Sequence, residues 1–97
     1  MNAVKENIIE FRPMVEADLD EVMRIELESH FAPWTRGIFI DCLRVGYYCP
    51  VLAINNKILA YAVMSVVAGE AHIFNVCVDK KHQGQGFGRK VVLHLLE

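Results

Sequence analysis

A short glycine-rich segment is the part of this chain best suited to bind an anion. It reads Gln83-Gly84-Gln85-Gly86-Phe87-Gly88-Arg89 and lies between an apolar run, 73–78, and a segment of helical periodicity, 91–96. A glycine-rich turn between a strand and a helix exposes backbone N–H groups at the helix N-terminus, where partial positive charge attracts phosphate-like anions. Glycine also permits positive φ and lets a ligand approach the main chain closely. We therefore expect a phosphorylated small molecule to bind here.

The spacing of these glycines does not fit two common phosphate-binding motifs. A dinucleotide fingerprint needs glycine at its first, third and sixth positions. Here the sixth position holds Arg89 or Val91, depending on which glycine starts the count. A P-loop ends in Gly-Lys-Ser/Thr, whereas Arg89 follows the last glycine of this segment. What remains is Gln-x-x-Gly-x-Gly, placed directly after a predicted strand that ends in Val78-Asp79.

Glu26 is the second candidate, because it is a carboxylate on the apolar side of a predicted helix. The apolar positions that define this side are Leu19, Val22, Met23 and Leu27. A step of about 100° per residue places Glu26 near the middle of them, where a carboxylate is costly unless it is paired or faces a wet cleft. One interpretation is that Glu26 recognises an incoming ammonium group or assists its deprotonation. The other is that it pairs with a buried donor or lies at the edge of the helix.

Two polar residues, His72 and Asn75, interrupt an otherwise apolar strand. His72 is either a general base or a partly solvated histidine at a strand edge, and the second is the more common case. Asn75 either orients a substrate or marks a β-bulge. The other residues that either line an acceptor groove or serve as ordinary turn, core or rim positions are Glu70, Pro33-Trp34 and Tyr47-Tyr48.

The bulk properties predict one soluble domain that binds neither nucleic acid nor a membrane. The chain has 97 residues, 54% of them apolar, and a net charge of −2. That size allows a single domain, and the apolar share argues against disorder. Nucleic-acid binders usually carry a clustered basic face, whereas the only basic cluster here is Lys80-Lys81 with Arg89-Lys90 beyond it. The longest apolar run, 58–67, is too short to span a bilayer, and residues 1–6 form no apolar signal segment.

The three cysteines predict neither a metal knuckle nor a disulfide framework. Cys42, Cys49 and Cys77 have no Cys-x-x-Cys spacing, and their number is odd. Reduced, buried thiols are typical of proteins in a reducing compartment. We therefore expect a cytoplasmic protein without a bound metal.

The elements that position these residues follow from periodicity and turn chemistry. The predicted strands are 8–11, 51–54, 58–67 and 72–78. The predicted helices are 16–29, 35–44 and a third that begins near Gly86. Thr35 is the expected N-cap of the second helix and Gly46 its terminator, while Asn55-Asn56-Lys57 is a favourable hairpin turn. The order strand-helix-helix-strand-strand-strand-helix predicts an α+β fold, a mixed α/β sandwich.

The glycine motif resembles the acetyl-CoA loop of the GNAT superfamily of N-acetyltransferases, written Arg/Gln-x-x-Gly-x-Gly/Ala. The likeness extends over 70–79 and 82–89, which look like the corresponding stretch of the RimI-type ribosomal-protein N-terminal-alanine acetyltransferases. A second similar segment contains Ile25-Glu26, His30 and Pro33-Trp34. The resemblance runs from about residue 11 to residue 97, and it implies the same order of elements.

This resemblance implies acetyl-CoA as the acetyl donor and assigns residues to it. The loop, at 78–89, would hold the pyrophosphate through Gln83, Gly84, Gln85, Gly86, Phe87, Gly88 and Arg89. Backbone groups of Val76, Cys77 and Val78 would pair with the pantetheine arm like an added strand. A bulge near Asn75 would direct a backbone N–H toward the thioester carbonyl and stabilise its oxyanion. Glu26 matches a glutamate that follows an isoleucine in the RimI-type enzymes.

The resemblance also implies an acceptor and a longer domain. The acceptor would be a primary amine, first of all the N-terminal amine of a ribosomal protein. The apolar stripe of the third helix is still running at Glu97, and the main base and acid of RimI-type enzymes lie beyond that point. Residues 1–97 are therefore interpreted as one partial domain without its C-terminal strands and helix. The alternative is a truncated, inactive module that binds acetyl-CoA or self-associates through the exposed edge of strand 72–78.

Overall fold

The computed structural model describes residues 8–97, which form four strands and three α-helices. In chain order they are β1 (Ile9–Pro13), α1 (Leu19–Ser29), α2 (Arg36–Val45), β2 (Pro50–Ile54), β3 (Lys57–Val67), β4 (Glu70–Val78) and α3 (Phe87–Leu95). Short 3-10 turns, Glu16–Asp18 and Lys80–His82, precede α1 and follow β4. This order confirms the predicted α+β fold. The expected lack of a signal segment concerns residues 1–6, which lie outside the described residues.

The four strands form one antiparallel sheet in the order β1-β2-β3-β4. Two tight hairpins connect its last three strands. Asn55 and Asn56 have φ values of 50° and 65°, and Ala68 and Gly69 have φ values of 51° and 81°. Two successive residues with positive φ match the right-handed twist of the flanking strands. The hairpin predicted at Asn55-Asn56-Lys57 is confirmed, and a second turn of the same kind lies at Ala68-Gly69.

Helices cover both faces of the sheet and bury two apolar clusters. The first cluster lies between the sheet and the pair α1 and α2, and its fully buried members include Leu19, Val22, Ile25, Phe39, Val51, Tyr61, Val63 and Cys77. The second lies under α3 and comprises Leu52, Ala60, Ala62, Met64, Val91 and Leu95. The strands therefore form the middle layer of a sandwich, as the sequence predicts.

Side-chain and glycine caps fix the ends of α2. The Thr35 hydroxyl accepts a hydrogen bond from the backbone N–H of Ile38 at 3.3 Å, and Gly46 ends the helix with φ of 82°. Both caps were predicted.

The prediction for the first helix needs two corrections, since residues 16–18 form a 3-10 turn and Leu27 is 61% exposed. Ile25 is buried instead. Ile25 and Leu27 lie about 100° to either side of Glu26 round the helix, and the stripe that faces the sheet continues on the side of Ile25.

None of the helices within residues 8–97 is long and apolar enough to cross a membrane.

Candidate functional site

The glycine-rich segment forms an open N-terminus on α3. Gly84 and Gly86 have φ values of 80° and 85°, a backbone conformation that other residues rarely adopt. Gly86 is the N-cap, no side chain caps this helix end, and the backbone N–H of Lys90 donates to the Gly86 carbonyl at 3.0 Å. The N–H groups of the first turn precede this bond and have no intrahelical acceptor. Gly84 and Gly86 are exposed to solvent, so an anion can reach these donors.

Contacts with β4 hold the open helix end in place. The side-chain amide of Gln83 donates to the carbonyl of Val78 at 3.3 Å. A methyl group added at Gly88 would lie 3.5 Å from Cγ2 of Val78, so α3 packs closely against the strand. These contacts bring the predicted loop 83–89 and the predicted strand segment 76–78 together.

Asp79 anchors the start of the loop, although the sequence reasoning assigned it no role. Its carboxylate is buried. It accepts hydrogen bonds from Arg24 Nη2 at 3.0 Å and from the backbone N–H of Lys81 at 3.2 Å. Burial raises the pKa of the Asp79 carboxyl, but the hydrogen bonds from Arg24 and Lys81 outweigh burial and leave that pKa below its usual value. A charged Asp79 therefore ties α1 to the turn that leads into the glycine segment.

A β-bulge interrupts β4 next to Asn75. Asn75 pairs with Val63 and Ile73 pairs with Met64, so Phe74 is an extra residue without an opposite partner on β3. A bulge leaves its extra residue out of the ladder and bends the strand. The sequence left two interpretations of Asn75 open, and the one in which it marks a β-bulge agrees with this register. Beyond it, Cys77 joins the cluster under α1, whereas Val76 and Val78 pack toward α3.

β4 is an outer strand of the sheet. Its inner edge pairs with β3, and within residues 8–97 no strand pairs with its outer edge. Backbone groups that point away from β3 alternate along 76–78 and are available to an extended ligand, except for the Val78 carbonyl, which accepts from Gln83. This open edge leads directly to the glycine-rich turn and the N-terminus of α3.

Glu26 lies in the interior, where its carboxylate accepts hydrogen bonds from three directions. It is 1% exposed. The backbone N–H of Trp34 donates to Oε2 at 2.9 Å, the Tyr61 hydroxyl donates to Oε1 at 2.5 Å, and the Asn75 amide donates to Oε1 at 3.0 Å. This is the pairing with buried donors that the second interpretation of Glu26 requires. A catalytic role for Glu26 stays a prediction.

Tyr61 is a further residue of this cluster that the sequence reasoning missed. Burial, together with the hydrogen bond to Glu26, raises the pKa of the Tyr61 phenol far above its usual value. Tyr61 therefore keeps its proton and acts as a donor. The available signal was a tyrosine within the largely aliphatic run 58–67.

His30 and Cys77 border the same carboxylate. His30 Nε2 lies 3.5 Å from Glu26 Oε1, and the possible ligand atoms of Glu26, His30 and Cys77 lie within 4.8 Å of one another. These residue types bind transition metals in other proteins. Here Oε1 accepts two hydrogen bonds and Oε2 accepts one, so an ion would have to compete with donors that already satisfy Glu26.

The remaining candidates lie in ordinary structural positions. His72 is 60% exposed and lies 3.5 Å from the Glu70 carboxylate on the protruding end of β4. The Tyr48 hydroxyl contacts His94 Nε2 at 2.5 Å, and the Tyr47 ring packs against Phe74. Trp34 packs against Phe39 within the first cluster. All three cysteines are free and buried.

The sequence of residues 14–97 matches the profile of the acetyltransferase (GNAT) family. The chain belongs to this family. The predicted superfamily resemblance is thereby confirmed, and the matched residues include the glycine-rich turn, the bulged β4 and α3.

Named relatives and solved structures share this fold. The [ribosomal protein bS18]-alanine N-acetyltransferase of Escherichia coli strain K12 is 36% identical over 80 residues, which are 82% of this chain and 54% of that protein. The crystal structure of the ribosomal-protein-S18-alanine N-acetyltransferase from Escherichia coli superposes with a TM-score of 0.83 at 33% identity, over 91% of this chain and 57% of that one. The chain thus spans about half the length of the relatives that it matches.

A more distant structure, solved as a complex with coenzyme A, has the same fold. The PaiA N-acetyltransferase from Thermoplasma acidophilum in complex with coenzyme A superposes with a TM-score of 0.78 at 10% identity. The overlap covers 91% of this chain and 69% of that one. At this identity the likeness concerns the fold alone.

Proposed function

We propose that this chain binds acetyl-CoA and takes part in transferring its acetyl group to a primary amine. The observation that carries the proposal is the uncapped, glycine-led N-terminus of α3 beside the open edge of β4. The first offers N–H donors for phosphate oxygens, and the second offers backbone groups for the amides of the pantetheine arm. GNAT membership and the solved complexes with coenzyme A support the choice of ligand.

In this proposal, each part of the cofactor binds to a different segment of the site. The pyrophosphate lies against the turn and the first helical residues, which are Gln83, Gly84, Gln85, Gly86, Phe87, Gly88 and Arg89. The pantetheine arm extends along Val76, Cys77 and Val78, and the acetyl group reaches the bulge at Phe74 and Asn75. Lys80, Lys81 and Lys90 add positive charge near the phosphates.

The chemistry follows from this placement. An unprotonated amine attacks the thioester carbonyl, the carbon–sulfur bond breaks, and the amine loses a proton while the thiolate gains one. A backbone N–H at the bulge stabilises the negative oxygen of the tetrahedral intermediate. Glu26 is buried, so its contribution to deprotonation or to recognition of the ammonium group must act through the groups that it holds.

For the acceptor, we propose the N-terminal amine of a protein, with a ribosomal protein as the first candidate. The proposal rests on the relatives, whose names describe alanine N-acetyltransferases of ribosomal protein bS18. We place the reaction in the cytoplasm, because all three cysteines are free thiols and reduced thiols are maintained in that compartment.

A second candidate function is self-association through β4. The protruding β3–β4 hairpin exposes large apolar side chains beside the open strand edge, namely Val66, Val67, Ile73 and Phe74. An exposed apolar edge strand is a template for pairing with another chain. Sedimentation velocity at increasing protein concentration tests it: a dimer supports self-association, and a monomer at all concentrations contradicts it.

Calorimetric titration of the chain with acetyl-CoA tests the primary proposal. Gly86→Glu places a carboxylate where the phosphates should lie, and we expect it to abolish binding. Gly69→Glu is the matched control, because both glycines have a similar positive φ and no atom within 4 Å of an added Cβ. Binding that is lost in Gly86→Glu and retained in Gly69→Glu supports the proposal. No heat from the folded wild-type chain, or equal loss in both variants, contradicts it.

A further inference from the structure

The buried Glu26 carboxylate joins three separate segments of the chain. Through Trp34 it holds the loop between α1 and α2, through Tyr61 it holds β3, and through Asn75 it holds the bulge of β4. We propose that Glu26 is a positioning residue that fixes the bulge so that its backbone donor meets the acetyl carbonyl. This inference rests on the proposed function, because it assigns the bulge to the acetyl end of the cofactor.

The chemistry of the cluster makes the hydrogen bonds to Glu26 strong. Among the described residues, Glu26 has no lysine or arginine within ion-pair distance, and only His30 comes close, at 3.5 Å. Its charge is therefore satisfied mainly by neutral donors, and hydrogen bonds to a charged acceptor are shorter and stronger than those between neutral groups. Burial also removes these hydrogen bonds from bulk solvent, and the lower local dielectric strengthens them.

The position of Asn75 connects the Glu26 hydrogen bonds to the bulge of β4. Asn75 directly follows Phe74, the extra residue of the bulge. Bulged strands bend, and the extra residue lies outside the ladder, so the pairing with β3 alone does not fix the local backbone. The hydrogen bond from the Asn75 amide to Glu26 Oε1, at 3.0 Å, supplies that constraint from the neighbouring layer.

The burial of Glu26 favours a positioning role over direct contact with the acceptor amine. Glu26 is 1% exposed and each of its oxygens already accepts at least one hydrogen bond. An acceptor amine cannot contact it without displacing one of the groups packed around it, which are Tyr61, Asn75, His30, Cys77 and the loop at Trp34. Glu26 therefore acts through the backbone at the bulge.

The test compares the affinities of the chain for acetyl-CoA and for CoA, measured by calorimetric titration. Both ligands use the glycine-rich turn, but only acetyl-CoA has the carbonyl that the bulge would bind. We expect the wild type to prefer acetyl-CoA about fivefold, the ratio that one hydrogen bond of ordinary strength gives. Asn75→Ala and Glu26→Ala should lose this preference while their CoA affinity stays within about twofold of wild type.

Glu26→Gln is the conservative rescue. Its amide oxygen can occupy the place of Oε1 and accept from both Tyr61 and Asn75, while its NH2 at the place of Oε2 loses the hydrogen bond from the Trp34 N–H. The link to the bulge is kept, so the preference for acetyl-CoA should survive even though the variant is less stable. Glu16→Ala is the control, since it removes an exposed glutamate outside the cluster. If Glu26→Ala does not fold, as judged by circular dichroism, Asn75→Ala alone decides, because it removes only the link to the bulge.

Other results overturn the inference. A preference that persists in Asn75→Ala and Glu26→Ala, or a wild type with equal affinity for both ligands, means that the cluster does not set the carbonyl donor. A proportional loss of both affinities assigns Glu26 a merely structural role. A wild type that binds neither ligand contradicts the proposed function as well, and this outcome is distinguishable from the others.

Discussion

Replacing Tyr61 with phenylalanine should destabilise the fold by about 1.5–3 kcal/mol, the usual value of a hydrogen bond to a charged group. The ring is fully buried and stays in place, so the variant removes a single oxygen and creates almost no cavity. What it removes is one of the two donors to Glu26 Oε1, at 2.5 Å. The buried carboxylate is then left with Asn75 and the backbone of Trp34 as its hydrogen-bond donors.

Urea unfolding followed by circular dichroism measures this loss. In thermal unfolding, about 2 kcal/mol corresponds to a midpoint lowered by roughly 8–16 °C for a domain of this size. Tyr47→Phe is the control, because Tyr47 is partly exposed and contacts the surface-exposed Phe74; we expect a change within about 0.5 kcal/mol.

A double-mutant cycle with Glu26→Ala identifies the source of the loss. If the Tyr61 hydroxyl acts on the carboxylate, then Tyr61→Phe should cost much less in the Glu26→Ala background, with a coupling energy of about 1 kcal/mol or more. Additive effects, or a Tyr61→Phe variant as stable as wild type, would refute the buried cluster as described.

Three further changes should have distinct effects on stability. Thr35→Ala removes the side-chain cap of α2 and should cost about 1 kcal/mol in urea unfolding, whereas Thr35→Ser should be nearly neutral. Ile25→Ala should cost about 2–5 kcal/mol and Leu27→Ala less than about 1 kcal/mol, because only Ile25 is buried; similar losses would mean that the orientation of α1 is wrong. The pKa of Asp79 is lowered in the folded state, so its contribution is present above the unfolded pKa and is lost as pH falls through the folded one. Asp79→Asn should therefore be less stable than wild type at pH 7, and urea midpoints measured down to acidic pH should converge; a constant difference would contradict this.

Local turn and cap chemistry made much of the fold predictable. Thr35, Gly46 and the Asn55-Asn56 turn each impose a backbone conformation through their own side chain or through positive φ. The glycine-rich turn at 83–89 belongs to the same class in part, because the positive φ of Gly84 and Gly86 is a local property of glycine. Such features are encoded within a few positions of the sequence and were therefore located correctly.

Contacts between distant segments were not predictable in the same way. Tyr61 and Asn75 lie 35 and 49 positions from Glu26, and no local pattern pairs them with it. The misplacement of Leu27 has a related cause, since the side of α1 that faces the sheet is decided by packing across layers. Periodicity placed Glu26 on the buried side, but only the assembled sheet shows which donors surround it.

Acetyl-CoA should bind at the N-terminus of α3 and along the edge of β4. Amide chemical-shift mapping with ¹⁵N-labelled chain and increasing acetyl-CoA is the sharpest test of this claim, because it reports on each backbone N–H separately. We predict the largest changes at Gly84, Gly86, Gly88 and at 76–78, with little change in α2. Saturable changes confined to other surfaces, or none in a chain that gives a folded spectrum, would contradict the claim.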